Sequence, residues 1–105
     1  MATYFSCLYL SGEVELTDER ERHIAETHPD LLPEHRARIA EVLADPDQIR
    51  VGERFKNARL FSKWFHNVRG GKHIVVVVVS ETGLVRRHWI ITAYIARKLA
   101  GGEIE

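Results

Sequence analysis

The sequence predicts an α+β fold, with N-terminal helices packed on one face of a four- to five-stranded antiparallel sheet. Segments with strand and helix character are segregated along the chain, which favours α+β over an alternating α/β arrangement. The apolar run Ile74–Val79 is typical of a central strand that is buried on both sides. A length of 105 residues fits one domain with a single core, so we expect residues 1–105 to form a single domain.

The N-terminal half is predicted to begin with strand structure and to continue into a helix. Tyr4–Leu10 forms the first strand, and Glu13–Leu16 either continues it or forms a second strand. Thr17 is a good N-cap, because the acidic residues that follow it suit the first turn of a helix. The helix ends before Pro29, since the residue that precedes a proline is disfavoured in the helical region.

A second helix and an antiparallel meander are predicted to follow. This helix begins near Pro33, which is tolerated at the first helical position, and it ends before Asp45. The connections between the later strands have hairpin character, and a short polar tail follows from Arg97. The strands of the meander are Gln48–Gly52, Arg59–Phe65, Ile74–Val79 and Val85–Ile95.

The composition excludes several classes of protein. The longest apolar run is far shorter than the ~20 residues of a membrane-spanning helix, and the N-terminus lacks the pattern of a signal peptide. The single cysteine, Cys7, excludes an internal disulfide framework and fits a reducing compartment. We therefore expect a cytoplasmic protein that does not contact a membrane; the oligomeric state is left open.

Charge is unevenly distributed, although 15 basic and 15 acidic residues cancel. Acidic residues dominate positions 13–47, whereas the stretch from Arg50 to Lys72 is basic and includes several aromatic residues, among them Phe55. Cations with interleaved aromatic rings are typical of surfaces that bind RNA through phosphate contacts and base stacking. Phe61 and Phe65 share one strand face and are expected in the core. The residues expected to contact RNA or phosphate are Arg50, Arg59, Trp64 and Arg86.

The last predicted strand carries an unusual polar face. Strict alternation of side chains gives it two faces. One face suits a core and contains Trp89, Ile91, Ala93 and Ile95. The other face contains His88, Ile90, Thr92 and Tyr94. An imidazole, a hydroxyl and a phenol on one face are groups that bind ligands and transfer protons.

Six histidines favour acid–base chemistry over a metal site. His23 and His28 are about 140° apart around a helix, whereas ligands on a shared face are three or four residues apart. No metal site and no cofactor are therefore expected. RNA cleavage needs a base for the 2′-hydroxyl, an acid for the leaving oxygen and a cation for the phosphate. Candidates for these roles are His23, His28, Arg50, Lys63, Thr92 and Tyr94. The alternative that His28 only caps a helix, and that Tyr94 is a rim aromatic, stays open.

Several segments together resemble one nuclease family. Thr17–Leu31 resembles the "HI…HPE" helix of small phage and bacterial nuclease-like domains, and Val42–Ile49 resembles the "L…PD.I" link into their sheet. Ile74–Val79 and Ile90–Tyr94 resemble their "VVV…IITAY" strands. From about residue 14 to 96, the chain is similar to the phage-associated branch of the barnase–EndoU–colicin–RelE-like (BECR) nucleases.

This resemblance implies an α+β fold and a metal-independent endoribonuclease, often a toxin that cuts tRNA or other RNA. It implies RNA as a partner and, for a toxin, an antitoxin or immunity protein. A non-catalytic RNA-binding or partner-binding module of the same fold is the alternative. His88 ranks lower than Thr92 and Tyr94 as a candidate site residue, because it lies outside the resembled motif. By motif position, the site would contain His23, His28, Thr92 and Tyr94, with Lys63 or Arg50 as its basic residue.

Overall fold

The computed structural model describes residues 1–53, 57–99 and 103–105. Phe55, with its basic neighbours Arg54 and Lys56, lies outside the described residues, as does part of the predicted tail. The described chain forms two helices and six strands. In chain order these are β1 (Thr3–Cys7), β2 (Gly12–Leu16), α1 (Asp18–Thr27), α2 (Arg36–Ala44), β3 (Gln48–Val51), β4 (Ala58–Phe65), β5 (Lys72–Glu81) and β6 (Arg87–Ala96).

All of these strands belong to one mixed sheet, so the prediction of N-terminal helices on a four- to five-stranded antiparallel sheet is wrong. The strand order is β1-β2-β6-β5-β4-β3. Strands β3 to β6 form the predicted antiparallel meander. The β1–β2 hairpin extends this sheet through a parallel contact in which Glu15 of β2 lies opposite Trp89 of β6. Local sequence patterns do not encode this contact, because the two strands are far apart in the chain.

The two helices bind the sheet in different ways. Thr17 caps α1 as predicted, with the Arg20 N–H donating to its hydroxyl over 3.1 Å. Helix α1 then packs against β6, where the Arg20 guanidinium donates to the carbonyl of Ile91 over 3.4 Å. Helix α2 packs across β1, β4 and β5. It begins at Arg36, later than the predicted start near Pro33.

Both faces of the sheet are apolar at its centre. Ile74, Val76 and Val78 of β5 lie in the main core with the buried residues of both helices, on what we term the helix face. Val75 and Val77 lie in a smaller apolar cluster on the opposite side, the far face. The valine run is therefore a central strand that is buried on both sides. Phe61 and Phe65 also lie in the main core, as expected.

A β-bulge in β6 breaks the predicted alternation of its side chains. Val77 of β5 pairs with Thr92, but the next residue, Val78, pairs with Ile90, which leaves Ile91 as an extra residue. Ile90 is fully buried in the main core, whereas Ile91 packs on the far-face cluster. The predicted face of His88, Ile90, Thr92 and Tyr94 is therefore split. His88 and Ile90 lie on the helix face, and Thr92 and Tyr94 lie on the far face.

The last described residues pair with the edge strand β3. Ile104 pairs with Arg50 in an antiparallel bridge. The Val51 N–H donates to the Glu103 carbonyl over 2.8 Å, and the Glu105 N–H donates to the Ile49 carbonyl over 2.9 Å. This segment of residues 103–105 is termed the tail strand below. In the part of the chain that the structure describes, no helix is long and apolar enough to cross a membrane.

Candidate functional site

Two of the predicted site residues lie close together at the end of α1. The rings of His28 and Tyr94 are 6.0 Å apart between centroids, with a tilt of 38° between their planes. Thr92 shares the far face with Tyr94, because Thr92 pairs with Val77 and Tyr94 with Val75. His23 is exposed on α1, and its carbonyl accepts a hydrogen bond from the Thr27 hydroxyl one turn later. Thr92 and Tyr94 therefore share the far face, and the His28 ring at the end of α1 contacts Tyr94.

Lys63 does not join this group. It pairs with Ile74, so its side chain leaves the sheet on the helix face, opposite to Tyr94. The ammonium donates to the Asp45 carbonyl over 2.9 Å and lies near the carboxylates of Asp45 and Asp47. Burial works to lower the pKa of Lys63, but these acidic partners outweigh it and raise the pKa. The five predicted catalytic residues consequently do not form one cluster.

The four residues predicted to contact RNA are also dispersed. Arg50 is only 3% exposed, and its backbone pairs with Ile104 of the tail strand. Trp64 is 46% exposed and lies edge-on to His73, with their ring centroids 4.9 Å apart. Arg59 and Arg86 lie together at the other end of the sheet, where both line a cleft that contains His88.

His88 lies where two open clefts meet. One cleft, of about 470 Å³, is bounded by the β1–β2 hairpin and the start of β6. The other, of about 310 Å³, is bounded by the turn of that hairpin and the ends of β4 and β5. His88 and Arg86 line both clefts. We term the group Tyr9, Arg59, Ser80, Arg86 and His88 the His88 basin.

Strand pairing builds this basin. Ser80 lies opposite His88 in the β5–β6 ladder, and side chains at paired positions project from the same face. Ser80 Oγ and His88 Nδ1 are 2.7 Å apart, which is a short hydrogen bond. Arg59 reaches the same face from β4, because it pairs with Val78 of β5. Tyr9 comes from the β1–β2 turn, and its ring contacts that of Phe61 edge-on.

The environment of His88 favours a neutral imidazole. Burial lowers its pKa below the ordinary 6.5, and the positive charges of Arg86 and Arg59 lower it further. At neutral pH the ring therefore has a nitrogen that accepts a proton. A neutral imidazole beside guanidinium groups combines a base with an anion-binding surface.

The arginines near His88 differ in the contacts that their guanidinium groups make. The Arg59 Nε donates to the Glu105 carboxylate over 2.8 Å, and the Tyr9 hydroxyl donates to the same oxygen over 2.5 Å. Arg87 makes two hydrogen bonds to one Glu15 oxygen, at 3.1 and 2.8 Å, and also lies over the ring of Trp89. Arg86 is exposed between the two clefts.

Sequence reasoning noticed His88 but could not place it. The signal was present, since Ser80 and His88 flank a predicted hairpin and Arg86 adjoins the histidine. Strict alternation nevertheless grouped His88 with Thr92, because a bulge leaves no mark in the pattern of residue types. Among the described residues, no group of three or more His, Cys, Asp or Glu side chains is arranged to hold a metal ion.

No family model, curated protein or solved structure matches this chain.

Proposed function

We propose that this protein is an endoribonuclease of the BECR type and that its catalytic centre is the His88 basin. The observation that carries the proposal is the hydrogen bond of 2.7 Å between Ser80 and His88 beside two arginines. Ser80 positions the His88 imidazole as a base, and the arginines supply positive charge on the same concave surface. The resemblance of the motifs from about residue 14 to 96 supports the same class of chemistry.

In the proposed reaction, His88 removes the proton from the 2′-hydroxyl of RNA. In the tautomer whose Nδ1–H donates to the Ser80 oxygen, Nε2 is the proton acceptor. The 2′-oxygen then attacks the adjacent phosphorus, and the bond to the 5′-oxygen breaks. The products are a 2′,3′-cyclic phosphate and a free 5′-hydroxyl, which takes its proton from water in the open clefts. A positioned general base contributes about 10²–10⁴-fold to such a rate.

The arginines stabilise the charge on the phosphate. Arg86 lies exposed between the two clefts and adjoins His88 in sequence, so an RNA phosphate near the imidazole meets its guanidinium. Arg59 adds a second positive charge that acts on the same imidazole. Guanidinium groups suit this role, because they remain charged and form directed hydrogen bonds to phosphate oxygens.

A matched pair of variants tests where the chemistry occurs. We expect purified protein to cleave tRNA in the presence of EDTA and to leave 2′,3′-cyclic phosphate ends. His88→Gln should lower the single-turnover rate by about 10²-fold or more, since it removes the base. His28→Gln makes the same chemical change beside Tyr94 and should retain most of the rate. Circular dichroism verifies that both variants are folded.

Other outcomes contradict the proposal in distinguishable ways. If only His28→Gln abolishes cleavage, the catalytic group is the pair of His28 and Tyr94. If the protein binds RNA with a steep salt dependence but never cuts it, the chain is a non-catalytic RNA-binding module. If it neither cuts nor binds RNA, and is stabilised by a protein partner, it is a partner-binding module.

A further inference from the structure

The Glu105 carboxylate binds two members of the His88 basin. It accepts hydrogen bonds from the Arg59 guanidinium and the Tyr9 hydroxyl, and its side chain is only 21% exposed. Arg59 also lies over the Tyr9 ring, at 6.0 Å from its centroid. These two donors come from β4 and the β1–β2 turn, so the anion is held between separate elements of the sheet.

The two donors that hold Glu105, Arg59 and Tyr9, form a pocket that does not discriminate between a carboxylate and a phosphate. A guanidinium Nε–H and a phenol O–H both donate to an anionic oxygen, and a phosphate presents such oxygens as well as a carboxylate does. The phenol of Tyr9 has an ordinary pKa of 10, so it is protonated at neutral pH and remains a donor; the hydrogen bond to Glu105 raises this pKa further. The pocket therefore accepts an anion.

The tail strand that carries Glu105 makes backbone pairs but leaves its apolar side chain exposed. It makes the backbone pairing to Ile49 and Val51 described above, while the Ile104 side chain is 66% exposed. A segment with few buried apolar contacts opens at low free-energy cost. The tail strand is therefore placed to leave the pocket when a stronger anion arrives.

We infer that Arg59 and Tyr9 form a phosphate subsite and that Glu105 occupies it as an intramolecular competitor. The inference rests on the proposed function in one respect, namely that the competing phosphate belongs to an RNA strand. Loss of the Glu105 carboxylate frees the Arg59 charge for that phosphate. In the intact protein the tail strand restrains binding at the basin without blocking His88 itself.

A binding experiment with a matched control tests the competition. The probe is a fluorescent 2′-O-methyl RNA octamer, which cannot be cleaved, and the readout is fluorescence anisotropy. Glu105→Ala should tighten binding by about two- to fivefold, the range expected for a partly exposed ion pair. Glu103→Ala removes the same charge from an exposed position on the same strand and should change the affinity less than 1.5-fold. Equal tightening in both variants, or none in Glu105→Ala, overturns the competitor role.

A second measurement separates this inference from the proposed function. Inorganic phosphate is titrated into each protein, and the Arg59 Nε–Hε resonance is followed by NMR. We expect phosphate to shift this resonance at lower concentration in Glu105→Ala than in the wild type, whether or not the protein binds RNA. No phosphate-dependent shift in either protein overturns the subsite, even if tRNA cleavage proceeds. A shift in a protein that never binds RNA supports the subsite and contradicts the ribonuclease.

Discussion

His88 and Thr92 lie on the same strand but on opposite faces of the sheet. Thr92 pairs with Val77, whereas His88 pairs with Ser80, and the extra residue Ile91 lies between them. Bulges re-aim the side chains that flank them. This bulge directs the imidazole of His88 towards the two clefts and leaves the Thr92 hydroxyl beside Tyr94.

Two alanine variants test the bulge directly. Ile90 is fully buried in the main core, whereas Ile91 is only half-buried on the far face. Ile90→Ala should lower the free energy of unfolding by about 2–5 kcal/mol, and Ile91→Ala by roughly half as much or less. Urea denaturation followed by circular dichroism measures both. Regular alternation predicts the reverse order, so a larger loss for Ile91→Ala would contradict the bulge.

Local patterns in the sequence were sufficient to find the elements of the fold. The cap at Thr17 and the stop before Pro29 bracket α1, and the valine run identified the central strand. The meander was also predicted in the correct order. These features depend on interactions within a few residues, which is why composition and spacing reveal them.

The sheet topology and the site depended on information that local patterns lack. The contact of Glu15 with Trp89 sets the mixed topology, and it depends on how the β1–β2 hairpin packs in three dimensions. The prediction grouped Lys63 with Tyr94 because RNA cleavage needs a cation beside groups that transfer protons, but strand parity places the two residues on opposite faces. One extra residue at Ile91 then moved His88 to another surface.

The N-cap of α1 gives a local stability prediction. Thr17→Ala removes the hydroxyl that accepts the Arg20 N–H, so the free energy of unfolding should fall by about 1 kcal/mol. Thr17→Ser keeps the acceptor and should lose much less. Thermal and urea denaturation measure the difference, and equal losses in the two variants would show that the hydrogen bond is not the cause.

The turn before β5 offers a matched pair of glycines beside Trp64. Gly70 and Gly71 have φ values of 78° and 107°, in the region that favours glycine. A Cβ on Gly71 would lie 2.6 Å from the Trp64 ring, whereas one on Gly70 meets nothing within 4 Å. Gly70→Ala should cost about 1–2 kcal/mol of backbone strain, and Gly71→Ala should cost more. Only Gly71→Ala should also shift the Trp64 fluorescence; an unchanged spectrum would contradict the contact.

The lowered pKa of His88 predicts a dependence of stability on pH. Below its ordinary pKa of 6.5, the unfolded chain binds a proton at this histidine more readily than the folded chain does. The contribution of His88 to the free energy of unfolding is therefore complete above pH 6.5. It declines as the pH falls from 6.5 towards the folded pKa. Urea denaturation of the wild type and His88→Gln between pH 7.5 and 5 measures this contribution as their difference, which should shrink at low pH.

Arg86→Gln tests how far positive charge contributes to the lowered pKa of His88. Removing a positive charge near the imidazole makes protonation easier, so the pKa of His88 should rise towards 6.5 while burial keeps it below. NMR titration of the His88 ring measures the change. Arg87→Gln is the control, because Arg87 is neutralised by Glu15 and is not among the causes of the shift. If cleavage depends on neutral His88, the acid limb of the rate profile should move to higher pH in Arg86→Gln, in step with the NMR value. A rate profile that stays fixed while the His88 titration moves would assign the catalytic base to another residue.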